Sequence, residues 1–301
     1  MIEKGTKILV TGCGGMLGDA IYNYFKDKCI LYPTDINLNE PWLQHLDVTN
    51  YQQFLDFTLK VKPDYIFHLA ALTDVDHCET KPTEAYKTNA FGTENAALIS
   101  HKLNITMIYV STAGVFSMDA EEYTDYETPN PMSVYGKSKY AGERFVKEIL
   151  NKYFIFRAGW MIGGGPKKDK KFVNKIIQQL KEGKKELFVV EDKTGSPTYT
   201  YDLAKTIHHV INSGHYGLYN AACQGGASRF DIAKAILDIK GLNGTVILNK
   251  VDSAHFMKEY FAPRPGSEKL VNLKLKMRDL DINRDWKECL QEYLDMHDWG
   301  I

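Results

Sequence analysis

The sequence predicts an α/β protein, a doubly wound parallel sheet with a smaller C-terminal α/β lobe, and three observations carry that prediction. Short runs rich in β-branched and aromatic residues alternate with helix-length stretches over residues 7–157. Such alternation requires crossover connections, which build a parallel sheet covered by helices on both faces. A cluster of glycines stands where the first apolar run meets the first helical stretch. At 301 residues the chain is long enough for about two domains of ~150 residues, or for one α/β domain with a lobe attached.

Residues 7–11, Lys-Ile-Leu-Val-Thr, read as the first strand, 16–26 as a helix and 29–35 as the second strand, a β-α-β unit. The pattern continues with a helix at 51–61, a strand at 65–70, a helix at 83–102 and a strand at 105–110. A helix at 133–151 then leads into a strand at 153–157. Beyond Arg157 the rhythm loosens. Glycines at 163–165 precede a lysine-rich helix at 170–184, a strand at 187–190 and a helix at 201–213, and strands at 217–220 and 245–248 flank a helix at 229–239. Residues 1–160 are therefore expected to form the main domain and 161–301 mainly the lobe, with parts of 190–220 returning to the main sheet.

Composition narrows the function classes. With 44% hydrophobic residues the chain can build a core, and 37 basic against 38 acidic residues leave a net charge of −1. Nothing in that balance would draw nucleic acid or an anionic membrane. The five cysteines, Cys13, Cys29, Cys78, Cys223 and Cys289, contain no C-x-x-C pair, so reduced thiols are expected rather than a disulfide framework or a zinc site. The histidines fall into no ligand spacing, which argues against a metal. The N-terminus lacks a secretion signal and no apolar run approaches the ~18 residues of a membrane span, so a soluble cytoplasmic protein is expected.

The segment Thr11-Gly12-Cys13-Gly14-Gly15-Met16-Leu17-Gly18 ends the first strand and opens the first helix, where backbone N–H groups and the helix dipole favour a pyrophosphate. Gly12 permits the tight turn, Gly15 a close approach and Gly18 helix–strand packing, which makes the sheet Rossmann-type and dinucleotide-binding. Asp35 ends the second strand, where a carboxylate accepts hydrogen bonds from an adenosine ribose and repels a 2′-phosphate. NAD(H) is the preferred cofactor on that ground and NADP(H) the alternative. Asp47 and Val48 follow the next crossover, at the adenine edge.

Thr112, Tyr135 and Lys139 form a second constellation. Tyr135 and Lys139 are four residues apart on one helix face, so the ammonium is expected to lower the phenol pKa from its usual ~10 toward a range useful for proton transfer. Thr112, at a strand end, is placed to hydrogen-bond the same reacting oxygen.

With these motifs the chain resembles the extended short-chain dehydrogenase/reductase superfamily, and within it the dTDP-4-dehydrorhamnose reductases and their sugar-nucleotide relatives. The resemblance runs through His68-Leu69-Ala70-Ala71, Val75-Asp76 with Glu79, Asn89, Ser111-Thr112 with Val115-Phe116, and Val134-Tyr135-Gly136 with Lys139. It continues in Phe156-Arg157 with Trp160, Asp192 with Gly195-Ser196-Pro197-Thr198, Gly217-Leu218-Tyr219-Asn220 and Arg264-Pro265. It implies an NAD(P)H-dependent reductase of a nucleotide-diphosphate 4-keto-6-deoxy sugar, with Thr112, Tyr135 and Lys139 catalytic. Cofactor contacts would come from Gly12, Gly15, Met16, Leu17, Gly18, Asp35, Asp47, Val48, Ala70, Ala71, Asn89, Tyr135 and Lys139.

The resemblance assigns substrate contacts to Thr73, Val75, Trp160, Pro197 and Arg264. Trp160 would pack on the sugar or base, and Arg264 would clamp the diphosphate. Two departures stand out: Ala113-Gly114 replaces an Asp-Tyr pair, and Glu268 replaces a small residue. The first removes the acid pair of a 4,6-dehydratase. The competing expectations are a sugar-nucleotide epimerase that retains NAD and a non-catalytic subunit resembling the methionine adenosyltransferase β subunit. The resemblance leaves room for a homodimer. Lys167, Lys168, Lys170 and Lys171 are expected on a solvated loop, and Asp74 and Asp76 on an extended segment.

Overall fold

A computed structural model describes residues 1–117 and 120–301. The first half runs β1 (Lys7–Thr11), α1 (Met16–Phe25), β2 (Ile30–Asp35), β3 (Gln44–His45), α2 (Tyr51–Val61) and β4 (Tyr65–His68). It continues with α3 (Val75–Thr80), α4 (Pro82–Tyr86), α5 (Gly92–Leu103), β5 (Thr106–Thr112), α6 (Val134–Ile149) and β6 (Tyr153–Ala158). The second half holds β7 (Trp160–Ile162), α7 (Gly165–Lys168), α8 (Phe172–Lys181), β8 (Glu186–Val190), β9 (Thr194–Gly195), β10 (Pro197–Tyr199) and α9 (Thr200–Ser213). Then follow β11 (Gly217–Asn220), β12 (Ala227–Ser228), α10 (Arg229–Ile239), β13 (Ile247–Val251), β14 (Ser267–Glu268), α11 (Leu273–Lys276) and α12 (Trp286–Asp295).

Seven parallel strands form the main sheet in the order β11-β6-β5-β4-β1-β2-β3. Winding starts in the middle, runs outward through β2 and β3, then reverses to β4, so a crevice opens between the carboxyl ends of β1 and β4. Alternate residues sort to opposite faces. Ile8, Val10, Phe67, Ile108 and Phe156 join the core beneath α1 and α9, whereas Leu9, Ile66, Met107, Tyr109 and Ile155 join the core beneath α2, α5 and α6. Local signals set the helix ends: Asn50 accepts from the Gln53 N–H to begin α2, which stops at Lys62 in the left-handed region (φ 51°), and Ser133 accepts from the Gly136 N–H to begin α6.

The helix expected at 83–102 is interrupted. A π-helical turn, Lys87–Phe91, separates α4 from α5, and its extra residue swings Asn89 into the interior, where the side chain bonds the Leu72 backbone. The lobe packs α8, α10 and α12 around Ile176, Ile177, Leu187, Ile236, Trp286 and Leu290, beside the parallel pair β8–β13. The strand at 217–220 returns to the main sheet as its outermost member, paired with β6. All five cysteines are free. Among the described residues no helix is long and apolar enough to cross a membrane, and no group of three or more His, Cys, Asp or Glu could hold a metal ion.

Candidate active site

The glycine turn lies at the mouth of the crevice. Gly12 has φ +70°, and a Cβ there would lie 2.5 Å from the Ala70 backbone; one at Gly18 would lie 2.3 Å from the Cys13 carbonyl oxygen. At Gly15 the nearest atom to such a Cβ is the Gly12 oxygen at 3.7 Å, so the cradle stays open for close approach. Gly15 caps α1 without a side-chain hydrogen bond, leaving the first N–H groups of the helix for a ligand. Met16 lines the cradle against Gly164, whereas the Leu17 side chain is in the core and only its backbone faces this end.

The other expected cofactor residues surround this turn in different ways. Asp35 braces it, its Oδ2 accepting from the Gly14 N–H at 3.0 Å and its Oδ1 from the Asn37 N–H at 2.9 Å. Asp47 accepts from the Thr49 backbone and hydroxyl at 2.9 and 2.8 Å, and buried Val48 packs against Gly92. Ala70 and Ala71 leave β4 half-buried beside Gly12. Asn89 is fully buried, and its amide is committed to the Leu72 backbone and the Ser138 hydroxyl; it shapes this wall through Leu72.

Thr112 ends β5, on the same carboxyl edge. Gly136 in α6 presses so closely on the following turn that a Cβ would lie 2.1 Å from the Gly114 oxygen, and this contact seats the start of α6 beside Thr112. Glu79 adds a second tie, its Oε1 accepting from the Val134 N–H at 2.7 Å. The Thr112 hydroxyl accepts from the Gly114 N–H at 3.1 Å and faces the Tyr135 phenol. Lys139 is 2% exposed, its Nζ 4.2 Å above the Tyr109 ring.

The protonation states differ from the sequence expectation. Burial pushes the Tyr135 phenol up to about 12, the Thr112 hydroxyl offsets part of this, and the Glu268 carboxylate adds to the rise. Burial pulls Lys139 down to about 7, against the Glu143 carboxylate one turn on. Lys139 does not lower the phenol here; desolvation dominates both groups. Glu143 is fully buried and forked with Arg157 at 2.9 and 2.8 Å.

The expected substrate contacts divide. Trp160 is half-buried at the start of β7, held beside Pro197 of β10 and over Gly195, where a Cβ would lie 2.5 Å from the indole. Its Nε1–H donates to Glu268 Oε2 at 2.6 Å. Thr73 is exposed and accepts from Lys171 Nζ, and Val75 begins α3 half-buried. Arg264 is not free to clamp a phosphate, because both of its terminal nitrogens bond Asp76. Asp74 and Asp76 are not on an extended segment: Asp74 caps α3 by accepting from the His77 N–H, and Asp76 is in its first turn. The lysine loop is also more engaged than expected, with buried Lys168 bonding Asp19 at 2.8 Å and Glu40 at 3.3 Å, and Lys167 bonding Glu40 at 2.8 Å.

Arg229 escaped the sequence reading. Its guanidinium stacks 3.6 Å from the Trp160 ring centroid and 5.1 Å from that of Phe172, with no hydrogen bond or ion pair among the described residues. Burial draws it down to about 10, the Glu268 carboxylate opposing, so it stays charged at neutral pH. Its one signal was a cation at the first position of a helix, set against the dipole.

Comparison with known proteins bears on this geometry. The family model described as RmlD substrate binding domain matches residues 6–298. The spore coat polysaccharide biosynthesis protein SpsK of Bacillus subtilis is 32% identical over 294 residues, 96% of this chain and 97% of that protein. A crystal structure of a dTDP-4-dehydrorhamnose reductase from Clostridium acetobutylicum is similar with a TM-score of 0.89 at 36% identity, covering 97% of this chain and 99% of that one. The Bacillus anthracis dTDP-4-dehydrorhamnose reductase in complex with NADP is similar with a TM-score of 0.88 at 34% identity, covering 97% of this chain and all (100%) of that one.

Proposed function

The chain belongs to the family described as RmlD substrate binding domain, and from that membership we propose that it is an NAD(P)H-dependent oxidoreductase that reduces the keto group of a nucleotide-diphosphate 4-keto-6-deoxy sugar such as dTDP-4-dehydrorhamnose. The observation that carries this reading is the placement of Thr112, at the carboxyl end of β5, beside the Tyr135 phenol, with buried Lys139 one turn further along α6, two strands from the glycine cradle. The cradle fits a dinucleotide, since Gly12 and Gly18 have no room for a side chain while the face of Gly15 is open. Gly12, Gly15, Met16 and the first N–H groups of α1 would hold its pyrophosphate. When bound, the reduced nicotinamide supplies the hydride.

The chain's own residues complete the reaction. Tyr135, with its phenol at about 12, keeps its proton at neutral pH and gives it to the carbonyl oxygen as charge develops there. Thr112 stabilises the same oxygen through its hydroxyl. Lys139, in its ammonium form, binds the nicotinamide ribose. Trp160 forms a wall of the sugar site.

Loss of reduced-nicotinamide absorbance on adding a dTDP-linked 4-keto-6-deoxyhexose tests the proposal. Stoichiometric oxidation is expected. No oxidation with any nucleotide-linked 4-keto sugar, together with tightly retained NAD, would instead indicate an epimerase. This reading includes a cytoplasmic homodimer; exposed Phe91 and Leu98, beside and within α5, support the dimer.

A further inference from the structure

Glu268 brings a carboxylate into the reacting corner from a distant part of the chain. It is in β14, paired with Gly195 of β9, and Trp160 fixes one of its oxygens by the 2.6 Å bond to Oε2. Its other oxygen points at the turn after β5: a Cβ on Gly114 would lie 3.3 Å from Glu268 Oε1 and 3.4 Å from Thr112 Oγ1. Both oxygens thus border one point, and the absence of a side chain at Gly114 leaves that space to the carboxylate. Among the described residues nothing donates a hydrogen bond to Oε1, and Arg229 forms no ion pair with it. Tyr135 registers the same charge.

This arrangement gives the corner a polarity. Tyr135 and Thr112 present hydroxyl donors, which suit the carbonyl oxygen of a keto sugar. A carboxylate repels that oxygen and accepts from a hydroxyl. A sugar with its carbonyl toward Tyr135 and an adjacent hydroxyl toward Oε1 satisfies both, whereas the reversed pose pairs acceptor with acceptor.

We propose that Glu268 is a specificity-determining residue whose free carboxylate oxygen accepts a hydrogen bond from the sugar hydroxyl next to the reacting carbonyl. The proposal rests on the keto-sugar reading above and adds which hydroxyl pattern the site selects.

The test compares the full-length protein with Glu268→Gln and Glu268→Ala by calorimetric titration in the presence of oxidised cofactor. Ligands are dTDP, dTDP-6-deoxyhexose, and the analogue lacking the hydroxyl next to C4. Gln keeps the Trp160 bond through its amide oxygen and presents an NH₂ group where Oε1 was, so the surrounding fold is retained. Wild-type protein is expected to prefer the hydroxylated sugar over the deoxy analogue by about tenfold or more, and both variants to lose that preference while binding dTDP unchanged.

A preference retained in Glu268→Gln overturns the proposal, as does a variant that weakens dTDP and both sugars alike. If the preference depends on Glu268 but no keto sugar is reduced, the reductase reading fails and this one stands. If keto sugars are reduced and the preference ignores Glu268, the reverse holds. Failure of any dTDP-sugar to bind overturns both.

Discussion

Asp76 and Arg264 meet as a forked ion pair that joins the first turn of α3 to the segment before β14. Arg264 Nη1 lies 3.3 Å from Asp76 Oδ1 and Nη2 bonds Oδ2, while the Ala262 N–H donates to Oδ1 at 2.9 Å. Burial alone would raise the carboxyl pKa, but Arg264 and the Ala262 N–H together hold it below the usual range. Asp76→Ala and Arg264→Ala are each expected to cost about 1 kcal/mol in urea unfolding, because the pair is partly solvated. The double mutant should cost much less than both losses combined. Additive losses would mean that the two side chains act separately.

Tyr135→Phe removes the donated proton and leaves the cradle intact. Turnover is expected to fall about 10²- to 10⁴-fold, with the NAD(P)H dissociation constant changed less than about twofold. Rapid-mixing kinetics and fluorescence titration of reduced cofactor measure the two effects separately. Near-normal turnover would transfer the proton-donor role to another group.

Lys139 sets an alkaline limit. Because burial brings its pKa to about 7, the ammonium fraction falls as pH rises through that value, and kcat/KM for reduction should decline on the alkaline side. The Glu143 carboxylate opposes this lowering, so Glu143→Gln should move the limb to more acid pH. A limb that stays in place in Glu143→Gln would assign it to a different group.

His68 sets an acid limit on stability. It is fully buried between the Thr11 hydroxyl at 2.8 Å and the Thr93 hydroxyl at 3.2 Å, and burial, with Lys139 adding, pushes it from 6.5 down to about 3. Between those values the unfolded chain binds a proton that the folded chain refuses, so its contribution to stability is complete above about 6.5 and declines as pH falls. The loss is about 1.4 kcal/mol per pH unit. Urea unfolding at pH 7 and pH 5.5 should show it, and His68→Asn should flatten the dependence.

The main sheet was legible because its central strands β1, β4, β5 and β6 are buried on both faces and its helices carry a regular apolar spacing. Residues 7–11, 51–61 and 229–239 were read to the residue. β3, β9, β12 and β14 have two residues each, too few for any period to register. The helix α12 was missed although Trp286, Cys289, Leu290, Tyr293 and Leu294 follow helical spacing behind an Asp285 cap, because charged residues dilute the stripe. In the site, the spacing of Tyr135 and Lys139 was visible but their protonation was not, since desolvation depends on packing from other elements. Arg264 looked like a phosphate clamp because nothing in the sequence reveals that Asp76, 188 positions away, reaches it first.

The seam strand β11 limits how the protein can be taken apart. Residues 217–220 complete the main sheet beside β6, although the chain has by then already built much of the lobe. A fragment ending near residue 160 would therefore expose a row of unpaired amides along β6 and tend to self-associate. Chimaeras that exchange the rear portion with that of a relative import a structural stave of the front one, so sites for recombination are better chosen within loops than at any midpoint of the chain.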